Sequence, residues 1–277
     1  NAFGIFLAGS TSGSPASVTV GVGSLINSGT ISAIAEQNVN AILGSEIDII
    51  SLSNSGLISA VATNITNNQP NSAVSLYYTK QMESFDNSGT ISLVTSGELT
   101  TEAMQGAILI GGSPGTNSTI GTLSNSGLIT VSGEESMGGI NIVRSSITTL
   151  TNSGTITASS DEGDAYGIYV DITSSVGTIT NSGTITASAG EDDAVGIFVD
   201  TNSIVDNIDN TGTISVTAGI KEATGIRLET SSTITTLTNS GTINALAKTD
   251  ARGMHVDSGS SIGTLNNSGT ISALATS

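Results

Sequence analysis

One phrase constrains this chain more than any other. Asn-(Ser/Thr)-Gly occurs nine times, beginning at Asn27, Asn54, Asn87, Asn125, Asn152, Asn181, Asn210, Asn239 and Asn267, at intervals of 27, 33, 38, 27, 29, 29, 29 and 28 residues. Taken alone, a copy such as TITNSGTITAS (Thr178 to Ser188) reads as a hairpin, two alternating β-branched runs around a turn. A hairpin closes its pairing inside one repeat and gives no reason for an Asn at a fixed phase of every repeat. Stacked coils do, because identical amides superpose and bond one another along the axis.

The flanking columns repeat with the same phase. Five residues before each Asn stand Val22, Ile49, Met82, Ile120, Ile147, Val176, Val205, Ile234 and Ile262, and four after it is always Ile, from Ile31 to Ile271. A further segment reads A-x-G-I-x-V, as in AYGIYV (Ala165 to Val170) and AVGIFV (Ala194 to Val199). Each unit thus holds three short strands with apolar side chains at alternate positions, and no segment has the 3.6-residue period of a helix. The predicted fold is all-β: a right-handed parallel β-solenoid (β-helix) of triangular section, with nine coils of about 28 residues stacked about 4.8 Å apart. The corner glycines Gly29, Gly56, Gly89, Gly127, Gly154, Gly183, Gly212, Gly241 and Gly269 are expected to supply a backbone turn closed to residues with a Cβ. Residues 1–277 are read as one solenoid, with coils 1–4 (1–136) carrying expanded corners around Pro15, Pro70 and Pro114 and coils 5–9 (137–277) regular. Leucine-rich repeats are the nearest competitor, but their outer arc usually needs a helical segment where this repeat has Thr, Ser and Gly.

Aromatics make up only 3% of the chain, so Ile, Val, Leu and Ala must fill a thin, repeated core. The formal charge is −17 with six basic residues, Lys80, Arg144, Lys221, Arg227, Lys248 and Arg252. That balance argues against a phosphate backbone or an anionic membrane surface as partner. No cysteine is present to form a disulfide or thiolate site, and no apolar run reaches membrane-span length. The chain opens on Asn1 without a Met or a leader, which suggests a processed product or an excerpt.

The phrase LTNSGTI (Leu150 to Ile156, again Leu237 to Ile243), repeated on a β-helical pattern, resembles the passenger repeats of autotransporters and related large bacterial surface adhesins. The resemblance covers all nine repeats. It implies export, a cell-surface or extracellular location and a fibrous role, but carries over no catalytic residue.

Charged and aromatic columns supply the candidate chemistry. Asp171, Asp200, Glu229 and Asp257 follow the GIxV strand on successive coils, where mutual repulsion would favour a bound Ca²⁺ or raised pKa values. The plainer alternative is a solvated acidic stripe, partly neutralised by Arg227 and His255. A second acidic set, Glu134, Glu135, Asp161, Glu162, Asp164, Glu191, Asp192 and Asp193, sits at the coil-ending corners and is expected to be solvated. Tyr169 and Phe198 lie in an outward column with Phe6, Asn141, Arg227 and His255, placed to stack on sugars, on a neighbouring protein or on each other. The leading expectation is a non-enzymatic structural module of an extracellular bacterial surface fibre or adhesin, extending end to end by coil-on-coil β-stacking. The alternatives are a polysaccharide-active or polysaccharide-binding β-helix protein and a calcium-stiffened surface-layer or matrix protein.

Overall fold

The structure, a computed structural model, describes residues 1–8, 21–66, 69–79, 81–97 and 104–276; the corner around Pro15 lies outside them. Twenty-seven strands of six to eight residues form three nine-stranded sheets, and every strand ladder is parallel. The chain visits the sheets in strict rotation. The first sheet takes the A-x-G-I-x-V strands, Ala2–Ala8 through Asp250–Val256; the second takes the strands that end on the repeated Asn, Gly21–Asn27 through Ser261–Asn267; the third takes the T-I-x-A strands, Thr30–Ala35 through Thr270–Ala275. Three strands make one coil, nine coils make a triangular solenoid, and no helix occurs among the described residues.

The register explains how unequal intervals stay in phase. Asn54 pairs with Asn87 and Asn87 with Asn125, although 33 and 38 residues separate them. The extra residues sit at corners, chiefly between Ala62 and Ser72 and between Thr95 and Gln105, so the sheets do not register the insertion. Inside, Ile129, Ile156, Ile185, Ile214 and Ile243 stack as one fully buried column of the third sheet, and Ile120, Ile147, Val176, Val205 and Ile234 as one of the second. Each such side chain contributes roughly 1.5–3 kcal/mol of burial. Leu265 in the last coil has the same place in the repeat as buried Leu237 but is 46% exposed, because no coil covers it.

The repeated Asn forms an unbroken ladder. Each Nδ2 donates to the Oδ1 of the Asn on the next coil at 2.7–2.8 Å, eight times from Asn27 to Asn267. The same Nδ2 also reaches the carbonyl three residues beyond the next Asn, as from Asn152 to Thr184 at 3.1 Å. From Asn54 to Asn239 these side chains are almost completely buried, so every amide is satisfied by a copy of itself.

The corner glycines serve the stack differently from the sequence expectation. None of the nine has a φ in the left-handed region, so no special turn conformation demands them. Close approach demands them instead. The N–H after each corner glycine donates to the glycine carbonyl one coil below, as Thr155 does to Gly127 at 2.9 Å. A Cβ on Gly154 would lie closer than 3.0 Å to that same Gly127 oxygen, and the clash recurs at every corner glycine except Gly29, which has no neighbour within 4 Å. A second glycine column in the first sheet, Gly139, Gly167, Gly196, Gly225 and Gly253, is small for a related reason: a Cβ there would strike an Ile methyl of the third sheet, Ile185 in the case of Gly167.

Two predictions follow from these ladders. Gly154→Ala should cost about 1–3 kcal/mol through overpacking, whereas Gly29→Ala should be nearly neutral; equal losses in urea unfolding would restore the turn-conformation explanation. Asn152→Ala orphans the Oδ1 of Asn181, at roughly 1–3 kcal/mol, and leaves the Nδ2 of Asn125 with its carbonyl partners alone. Asn267→Ala orphans only one end of one bond and should unfold at nearly the wild-type midpoint.

Candidate functional site

A core only three sheets across suits aliphatic side chains, and the rings go elsewhere. Of the eight aromatic residues, Phe85 alone is in the solenoid core. Phe3, Phe6, Tyr77, Tyr166, Tyr169 and Phe198 occupy first-sheet strands at positions outside that core, and Tyr78 follows at the corner. The outer face of the first sheet is therefore where this chain departs from its repeat. One outward column runs Phe6, Leu43, Ser75, Leu109, Asn141, Tyr169, Phe198, Arg227 and His255 from coil 1 to coil 9.

The two aromatics singled out in the sequence meet here in a stack. Tyr166 and Tyr169 lie 5.0 Å apart at 17°, Tyr169 and Phe198 5.2 Å apart at 29°, and the Arg227 guanidinium stands 5.4 Å over the Phe198 ring. This packing leaves Phe198 only 5% exposed, so it is part of a small second apolar cluster with Tyr166 and Val195 rather than a free contact platform. The rings that remain open are Phe6, already placed in the outward column, and Phe3, which the repeat pattern did not bring forward; they are 57% and 42% exposed.

The acidic column resolves into corner caps. Oδ1 of Asp171, Asp200 and Asp257 each accepts the N–H of the following residue at 2.6 Å. At three corners a pair of residues with positive φ begins just after that position: Ile172 and Thr173, Thr201 and Asn202, Thr230 and Ser231. A short carboxylate that bonds its own backbone stabilises such a left-handed corner. Glu229, the fourth member, instead pairs with Arg227. Among the described residues no three His, Cys, Asp or Glu stand close enough to hold a metal ion.

Of the corner acids expected to be solvated, Asp161, Glu162 and Glu191 are exposed, whereas Asp164, Asp192 and Asp193 are tied into the stack. Asp164 Oδ1 accepts the Asp193 N–H at 3.0 Å, and Asp193 Oδ1 accepts the Glu222 N–H at 3.1 Å. Tyr166 donates its hydroxyl to Asp164 Oδ2 at 2.7 Å, Arg227 pairs with Asp193 at 3.0 Å, Lys221 pairs with Asp192, and Arg252 bridges Glu222 and Asp250. A serine ladder went unnoticed in the sequence. The N–H groups of Ser145, Ser174, Ser203 and Ser232 donate to the hydroxyl of the serine one coil above, at 3.0–3.3 Å. Its signal was present, since Ser118, Ser145, Ser174, Ser203, Ser232 and Ser260 all stand seven residues before a ladder Asn.

Burial raises the pKa of Asp171, reinforced by the neighbouring Asp200 charge and opposed by the Ile172 N–H and the Tyr169 hydroxyl. Burial likewise raises Asp164, against the Tyr166 hydrogen bond. Burial also pushes Glu222 upward, but the Thr224 hydroxyl and the Arg252 and Arg227 guanidinium groups outweigh it and hold this carboxyl below its usual value. No family model, curated protein or solved structure matches the chain.

A carboxyl with a raised native pKa binds its proton more tightly folded than unfolded, so it destabilises the fold as pH rises through the native value. Asp164 and Asp171 should thus add stability as pH falls from neutral toward their ordinary value of 3.8. Glu222 acts with the opposite sign, its contribution being lost only once pH drops below 4.5 and through its lowered native value. The thermal midpoint should therefore be higher at mildly acid pH than at pH 7. In Asp164→Asn/Asp171→Asn that rise should shrink; an undiminished rise would assign it to other carboxylates.

Proposed function

We propose that this chain is a structural, non-enzymatic stretch of an extracellular bacterial surface fibre or adhesin, lengthened by coil-on-coil stacking. The observation that carries the reading is the one-way Asn ladder. Among the described residues, its upper end, Asn267, holds an Nδ2 that bonds only the carbonyl of Gly269, and its lower end, Asn27, an Oδ1 held only by the Gly29 N–H. A donor above and an acceptor below are complementary, so a further coil of this chain or of another copy continues the same bond. The open edges of all three sheets offer the same continuation. The resemblance of the Asn-(Ser/Thr)-Gly phrasing to autotransporter passenger repeats supports the extracellular placement, and the acidic exterior keeps rods apart sideways. The non-enzymatic reading rests on the carboxylates, which are periodic and engaged by backbone N–H groups or by arginine rather than gathered opposite one another.

Immunolabelling of intact, unpermeabilised cells of the source bacterium with antibodies to coils 5–9 is the test. Labelling along surface filaments is expected. Labelling that requires permeabilisation would overturn the extracellular assignment, and surface labelling of monomeric, non-filamentous protein would overturn the fibre.

A further inference from the structure

On coils 1–3 the outer face of the first sheet holds an open cavity of about 560 Å³. Its walls carry Phe3, Phe6, Tyr77 and Tyr78, with Asn38 and Asn40 between the rings. Phe3 and Phe6 stand 5.2 Å apart and Tyr77 and Tyr78 6.0 Å apart, so two ring pairs line one groove. Among the described residues no Asp, Glu, Lys or Arg side chain lines it. In a molecule of net charge −17 whose corners are acidic, a groove of rings and amides without a charged side chain is a distinct surface.

A second cavity of about 240 Å³ continues the groove, sharing Pro70 and Tyr77 as a common wall and reaching Leu109 and Tyr169 on coils 4 and 6. Together they form a track that runs across the strands, along the solenoid axis, with floors rising about 4.8 Å per coil. Its only carboxyl, Asp171, stands at the far end.

We infer that this track binds a neutral polysaccharide strand laid along the axis. Sugar rings present flat C–H faces that stack on exposed aromatic rings and hydroxyls that both donate to and accept from amides, which is the chemistry the groove offers. Charge selects among occupants. An anionic glycan or nucleic acid would meet a net negative molecule and, among the described residues, no basic side chain in the groove. A basic protein would be drawn to the acidic corners instead. A chain without charge is the partner that loses nothing on entering. The inference stands apart from the fibre reading, because binding in solution says nothing of where the protein resides or whether it polymerises.

Affinity electrophoresis of the purified chain tests it, in gels containing dextran, galactomannan or xyloglucan, with polygalacturonate as the anionic counterpart. The chain should be retarded by at least one neutral polymer and not by polygalacturonate. Phe3→Ala/Phe6→Ala removes two exposed rings, so it should keep the wild-type melting temperature while binding about tenfold more weakly. Ile34→Ala, an equally exposed change on the third sheet, should bind as the wild type does. Passage unretarded through all three neutral gels, stronger retardation by polygalacturonate, or equal loss in both variants would each overturn the inference.

Discussion

In-register parallel stacking imposes one demand that shapes the whole molecule. Each side chain lies directly above its equivalent, one strand spacing or about 4.8 Å away. A residue type can occupy a column only if it tolerates copies of itself above and below. Aliphatic side chains do so by packing. Asn does so because its amide is donor at one end and acceptor at the other, and a file of nine can point the same way. Serine manages it by a mixed route, its hydroxyl accepting a backbone N–H from the coil below. Glycine is forced where even a methyl group would meet the next carbonyl.

Carboxylates fail this demand, and the structure shows how the failure is contained. Asp164, Asp193 and Glu222 climb the corner not by facing one another but by each of the lower two accepting the backbone N–H of the coil above. Asp171, Asp200 and Asp257 turn inward on their own corners, and Arg227 is placed to serve both Asp193 and Glu229. Where no arginine pairs with the carboxyl, as at Asp171 and Asp164, burial leaves it reluctant to ionise. The acidic columns are thus a managed cost of repetition as much as a surface charge.

This demand also decides what could be seen in the sequence. Inward columns repeat because they are self-compatible, so the three strands per coil, the buried Ile files and the Asn ladder were all legible from period and phase. The serine ladder was equally periodic and simply lacked an obvious reason. The glycine corner was located correctly but given the wrong cause, since a clash between coils leaves the same trace in one coil's sequence as a strained φ. What period could not show was packing without repetition: the burial of Phe198 depends not only on Tyr169 and Arg227, its neighbours in one column, but on Tyr166, which stands outside that column on the coil below.

That contrast separates scaffold from message. The Asn column has one residue type over nine coils, whereas the outward column beginning at Phe6 changes at every step to His255, passing through Leu, Ser, Asn, Tyr, Phe and Arg. No stacking rule asks for such variety; a column free to vary could have been filled with Thr, as the third sheet largely is. A column that changes at every step, together with seven of eight aromatics and the cavities of coils 1–6, sets that face apart from the rest of the solenoid. The other two sheets need only repeat, and their repetition is what holds that face rigid, flat and in line along the axis.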